Sequence, residues 1–314
     1  MKAKPIPKSI EQINEKERER RKSIGIVTTS VLKNLVNEFL ENKFEWMLPI
    51  IFSKTTDPLW PDPGSTIEKR IEVEIYGKLL RANLSMIVHK MVACSLLYPK
   101  LFVLSPNIRI ERRERANSGI HLFEFTQLDF EMRKAEAQDV MKFVEKILRN
   151  TISKIKKDVG KELEKLGRKN LKIPGNGFKV YDRVELEKEF GKNWEKFLEE
   201  KKPFWVVNIP REFYDFEDEN GNWKNYDLFL PGLGEVLSGS KREYEYKKIV
   251  GKMERDGVKK ENYKTLLDLA KKGKIKPSAG AGIGIERLVS WIVGVKHIGE
   301  VQPFPRIPGI INDL

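Results

Sequence analysis

Glycine stands at 280, 282 and 284, and from Ile285 the chain runs straight into an apolar segment with helical spacing: Leu288, Val289, Ile292 and Val293. Few arrangements accept both halves. Alternate glycines suit an extended strand, where every second residue faces the same way and a missing side chain lets a ligand or another backbone approach closely. Arg287 falls where strand gives way to helix. A guanidinium beside backbone N–H groups at a helix start is a seat for phosphate oxygens. Taken alone, the pattern equally fits a glycine-rich strand under a helix, with Arg287 in a surface ion pair.

The chain has 314 residues, enough for one large domain or two ordinary ones. Lys plus Arg number 59 against 46 Asp plus Glu, a net charge of +13 that favours anionic partners such as nucleotides, nucleic acid or acidic metabolites. Cys94 is the one cysteine and cannot form an internal disulfide, so a reducing, cytoplasmic compartment is expected. No apolar run reaches the roughly 18 to 20 residues of a membrane span, and the first residues are charged rather than apolar.

Residues 1–24 are a charged arm, mobile or an exposed helix, and residues 25–314 are expected to form one unit. Val27, Val31, Leu35 and Phe39 mark one face of a helix ending near Asn42, and residues 46–52 read as a strand whose Pro49 belongs at an edge or dimer seam. Residues 57–66 carry three prolines and read as a loop, expected to act as a lid. Strands are expected over 71–80, 101–110 (interrupted at 105–107), 120–132 and 204–209, and helix over 84–93 and 242–272. The arginine-rich loop 111–119 would join two of those strands in a phosphate-gripping antiparallel hairpin. Residues 133–202 read as a charged, largely helical surface insertion. The economical fold is α+β, one antiparallel sheet flanked by helices.

Arg109 and Glu111 lie two apart, so on a strand both share a face, and the return strand carries His121, Glu124, Phe125, Asp129 and Glu131. A guanidinium bridging an α-phosphate and a reacting carboxylate stabilises the charge that develops in adenylate formation, and a phenylalanine ring offers a face for adenine. Seen alone, a cross-strand Arg/Glu ladder accounts for the same residues.

Together these segments resemble the catalytic domain of class II aminoacyl-tRNA synthetases, in the subgroup for aspartate, asparagine and lysine. Residues 27–49 resemble its motif 1, residues 109–111 with 121–131 its motif 2, and residues 280–287 its motif 3. The continuation Val301-Gln302-Pro303-Phe304-Pro305-Arg306 resembles the aspartate and asparagine branch. The resemblance implies the class II antiparallel sheet, with the helical insertion between motifs 2 and 3, and a homodimer through motif 1. It implies Arg109 on the α-phosphate and substrate carboxylate, Phe125 under adenine, Arg287 on the far phosphates and His121 near them. Glu111 and Gly284 would complete the ATP site, and Glu235 with Ser238 would hold Mg²⁺.

For the amino acid, the resemblance places Ser85, Lys90 and Arg242 around a carboxylate, which implies L-aspartate. Two cations there leave a carboxamide with mismatched donors. The subgroup's tRNA synthetases carry an N-terminal anticodon-reading β-barrel, and the short charged stretch before motif 1 cannot supply its five strands, so tRNA binding is not expected. The expected reaction resembles that of synthetase-like paralogues that activate aspartate with ATP and let ammonia attack, giving asparagine, AMP and pyrophosphate. The alternative is a truncated paralogue that transfers its amino acid to tRNA or to a translation-factor lysine.

Overall fold

The computed structural model describes residues 4–59, 67–198 and 200–313. The expected lid falls mostly on residues 60–66, outside the described residues. Strands are β1 (Glu45–Trp46), β2 (Phe52–Ser53), β3 (Ile67–Lys69), β4 (Glu72–Ile75), β5 (Lys78–Ala82), β6 (Lys100–Ile108) and β7 (Ile110–Glu111). They continue with β8 (Glu124–Arg133), β9 (Lys179–Asp182), β10 (Phe204–Val207), β11 (Asn225–Leu230), β12 (Gly234–Lys241) and β13 (Ser278–Gly284). Eight of them form the main sheet in the order β1-β6-β8-β13-β12-β11-β10-β9. Its interior pairings are antiparallel, and only the outermost strands β1 and β9 pair parallel. This is the α+β architecture expected, one largely antiparallel sheet flanked by helices.

The sheet's first face is closed by helices. Helix α1 (Glu15–Glu41) lays Val27, Val31, Leu35 and Phe39 against Phe102 and Phe130 of the sheet and against Val140, Val144 and Ile147 of helix Ala137–Asp158. Burying each such side chain stabilises the fold by about 1.5–3 kcal/mol. The helix begins well ahead of the apolar run. Asn14 caps it by accepting from the Glu17 N–H, and Arg20 and Arg21 bind Glu300 near the C-terminus. Glu15–Lys22 is therefore helix, anchored at both ends.

The insertion holds helices Ala137–Asp158, Gly160–Lys165 and Arg183–Phe190, and also supplies β9, an edge strand of the main sheet. Its first helix carries eight buried residues into the core, so it is not a surface ornament.

Several expectations fail for local reasons. Residues 46–52 are not one strand: Pro49 removes a ladder donor, and pairing survives only at β1 and β2. Residues 71–80 are a hairpin, β4 turning into β5 at Tyr76 and Gly77, whose φ values of 51° and 67° make a two-residue turn with both centres left-handed. Helix over 242–272 is two, Tyr246–Arg255 and Lys264–Lys271, broken at Gly257 (φ 66°).

Conversely, β6 runs unbroken through Pro106. Pro106 pairs with Thr126, whose N–H points away to Glu286. Antiparallel partners exchange both hydrogen bonds or neither, so the proline nitrogen also faces outward. There β1 reaches only Leu101 and Phe102, and no ladder donor is needed.

Candidate active site

The second face of the sheet carries a cavity of about 560 Å³ over β8, β12 and β13. Two of the alternate glycines make its floor possible. A Cβ on Gly280 would lie 2.2 Å from the Phe130 oxygen and from Glu131 Oε2, and one on Gly282 would lie 2.9 Å from Asp129 Oδ1. Glycine here lets the carboxylates of the neighbouring strand lie flat across β13. Gly284 differs: its nearest neighbours stand at 3.6 Å, and it borders the cavity at the start of helix Ile285–Val293.

At one end, helix Ile87–Leu96 points Lys90 inward, 2 % exposed. Its Nζ donates to Asp129 Oδ1 at 2.7 Å and to the Ala281 carbonyl at 3.0 Å. Arg242, just beyond β12, donates through Nη1 to Asp215 at 2.9 Å and through Nη2 to the Gly280 carbonyl at 3.0 Å, with Glu131 alongside its Nε at 3.2 Å. Those two carboxylates raise the Arg242 pKa despite its burial. Ser85 donates to Asp57 at 2.9 Å just before the helix.

At the other end, Arg109 leaves the hairpin between β6 and β7, so it and Glu111 do not share one continuous strand, yet both reach the cavity. The backbone bends there because the Glu111 N–H closes onto the Arg109 carbonyl at 2.6 Å. Arg109 donates through Nε to the Leu84 carbonyl at 3.1 Å, and its guanidinium lies 5.2 Å from the centre of the Phe125 ring. Glu111 pairs with Arg115 at 2.9 Å, and burial holds its carboxyl above the ordinary range. Arg287 donates to the Glu235 carbonyl oxygen at 2.9 Å. Burial, reinforced by Arg287, Arg115 and Arg109, pushes the His121 pKa down to about 3, so its ring is neutral at working pH.

The cavity gathers Ser85, Lys90, Arg109, Glu111, His121, Phe125, Glu235, Ser238, Arg242, Gly284 and Arg287. Sequence reasoning missed four acids that line it, Asp57, Glu212, Asp215 and Glu286, and also Asp227, which lies outside the lining on β11 opposite Ser238. For Asp227 a signal existed: in strand spacing it lies opposite Ser238 across the Pro-Gly turn, the observed register. Burial, with Glu235 close by, pushes its carboxyl up to about 7. Oδ2 accepts from Arg211 at 2.5 Å, while the buried Oδ1 has no partner. Among the described residues no group of three or more His, Cys, Asp or Glu is placed to hold a metal. The Asp227 and Glu235 carboxylates and the Ser238 hydroxyl are oxygen donors of the kind a hard cation such as Mg²⁺ takes, and the unpartnered Asp227 Oδ1 leaves one of them open to it. No helix among the described residues is long and apolar enough to cross a membrane.

The family model for class II tRNA synthetases (D, K and N) matches residues 17–308. Among curated proteins, an asparagine–tRNA ligase of Clostridium botulinum is 29% identical over 288 residues, covering 81% of this chain and 61% of its own length. That of Mycoplasma mobile is 32% identical over 248 residues, 69% of this chain and 55% of the relative. The chain thus spans about three-fifths or less of these relatives. Of solved structures, asparaginyl-tRNA synthetase from Pyrococcus horikoshii complexed with asparaginyl-adenylate aligns with TM-score 0.83 at 23% identity, over 98% of this chain and 76% of that one. A putative aspartyl-tRNA synthetase from Leishmania major aligns with TM-score 0.73 at 19% identity, over 93% and 66%.

Proposed function

We propose that this chain, which belongs to the class II tRNA synthetases of the aspartate, lysine and asparagine group, activates L-aspartate with ATP and passes the aspartyl group to ammonia, forming L-asparagine, AMP and pyrophosphate. One observation carries the choice of aspartate. Lys90 has three N–H donors, and Asp129 and Ala281 take two of them. The third is left for an acceptor oxygen of the substrate, in a site lined also by Arg242. A carboxylate supplies it, whereas a carboxamide turned the wrong way would set donor against donor.

In this reading Arg109 aligns the reacting carboxylate with the α-phosphate. A carboxylate oxygen forms a bond to the α-phosphorus as the bond to pyrophosphate breaks on the opposite side. Phe125 and Arg287 fix the adenine and the outer phosphates, so the chemistry is positioning and charge neutralisation. Mg²⁺, held by Asp227, Glu235 and Ser238, would neutralise phosphate charge. Lys90 and Arg242 hold the α-carboxylate, leaving the β-carboxylate to react, and ammonia displaces AMP from the acyl group. The exposed Trp46, Leu48 and Ile51 of the motif 1 region, Leu48 at 82%, support pairing of two chains as a homodimer.

A second reading is asparagine activation for transfer to tRNA. The curated relatives named as asparagine–tRNA ligases favour it, and so does Asp129 Oδ2, buried and without a partner, which could accept from a carboxamide. ATP–pyrophosphate exchange with each amino acid separates the two. Exchange driven by aspartate supports the first reading, and exchange driven by asparagine alone would overturn it.

A further inference from the structure

We infer that Glu212, together with Asp57, seats the ammonium ion that supplies the amide nitrogen. The proposal deepens the aspartate–ammonia reading and rests on it. Glu212 is 7% exposed and borders the cavity; its own backbone N–H offsets its charge in part, but among the described residues no side chain forms a hydrogen bond or ion pair with it. A buried carboxylate left so is costly unless something fills the place opposite. Its neighbour Arg211 is committed to Asp227.

Asp57 is buried as well, and its position is fixed. It accepts from Ser85 at 2.9 Å, from the Leu59 N–H at 2.9 Å and from the Tyr214 hydroxyl at 3.1 Å. Burial and the Asp57 charge hold the Glu212 carboxyl well above the ordinary carboxylate range. A small monocation lodged against both relieves that repulsion. Ammonium suits the place because it is compact and donates in four directions to oxygen acceptors.

Position supports the assignment. Ser85, bound to Asp57, follows Leu84, whose carbonyl anchors Arg109 at 3.1 Å. The acid pair and the arginine proposed to align the reacting carboxylate line the same cavity. Once the acyl-adenylate has formed, the Glu212 carboxylate takes a proton from ammonium. The freed lone pair of ammonia forms the C–N bond to the acyl carbon. The C–O bond to AMP breaks, its electron pair leaves on the phosphate oxygen, and the surplus proton on nitrogen follows it to AMP.

Hydroxylamine, uncharged at neutral pH, attacks acyl-adenylates without needing a cation seat. The full chain and its Glu212→Gln variant are compared with ammonium chloride and with hydroxylamine at saturating ATP and aspartate. The expected result is a rise of at least tenfold in KM for ammonium, against a change below threefold in KM for hydroxylamine. Equal losses with both nucleophiles, a shift in KM for aspartate instead, or no change would overturn the seat. A wild-type chain that yields hydroxamate but no asparagine at any ammonium concentration would overturn the ammonia reading and the seat together. If Glu212→Gln does not fold, Glu212→Asp, which keeps the charge on a shorter stem, is expected to raise KM for ammonium selectively by a smaller factor, and equal losses would again overturn the seat.

Discussion

Lys90 and Asp129 form an ion pair at 2.7 Å with side chains 2% and 4% exposed, and the second carboxylate oxygen of Asp129 has no partner. Removing one member leaves the other charged and buried, which typically costs about 3–5 kcal/mol. Lys90→Met should therefore lower the unfolding free energy by roughly 3 kcal/mol. The double variant Lys90→Met/Asp129→Leu should recover much of it. Urea unfolding reads both, and a fully stable single variant would mean the pair is not dry.

The glycines of β13 should separate by position. A Cβ at Gly280 meets backbone and carboxylate oxygens at 2.2 Å, so Gly280→Ala must move strand β8 and should cost more than about 3 kcal/mol, as severe overpacking does. At Gly284 the nearest atoms are at an ordinary 3.6 Å. Gly284→Ala should fold normally and affect only ATP binding. Thermal melts of both variants, with ATP titrated into the second, check the contrast.

Glu286 braces the strand beside Phe125, the ring proposed to face adenine. Both its carboxylate oxygens accept from the Thr126 N–H at 3.0 Å, next to Phe125, and Gln302 donates to Oε1 at 3.3 Å. With β13 ending at Gly284, no strand reaches that N–H. Glu286→Ala should raise KM for ATP about tenfold, the effect of roughly 1.4 kcal/mol, with little change for the amino acid. Equal changes for both substrates would show general loosening instead.

Acid should weaken the protein through its histidines. All three, His89, His121 and His297, are held below their ordinary 6.5 by burial, His121 down to about 3. Below pH 6.5 the unfolded chain takes up protons that the folded chain refuses. The histidine contribution is thus complete above that pH and is lost as pH falls toward 3. His121→Gln should flatten the decline in melting temperature between pH 6.5 and 4. An NMR resonance of His121 titrating near 6.5 would contradict this.

What the residues made legible was the chemistry-bearing frame. Alternate glycines ahead of an amphipathic helix mark β13 and Ile285–Val293, because close packing and helical spacing each leave a pattern in a few consecutive positions. Arg109 and Phe125 were singled out by hairpin spacing and by the family resemblance, Arg287 by its place at the strand-to-helix junction, and the structure brings all three to the cavity. The carboxylates of the connecting segments were not legible. Asp57, Glu212 and Asp215 lie in connecting segments, and what makes them part of the site is their meeting with Lys90, Arg242 and Ser85 from elsewhere in the chain. Pro106 shows the opposite failure: a local rule against proline in a strand gives way because the sheet has no neighbour on that side.

The most direct test incubates the full chain with aspartate, ATP, Mg²⁺ and ammonium chloride, without RNA, and measures asparagine and AMP together. Equal amounts of the two, lost in Arg109→Ala, are expected. Pyrophosphate exchange with no asparagine formed would contradict the account and direct the adenylate to another acceptor.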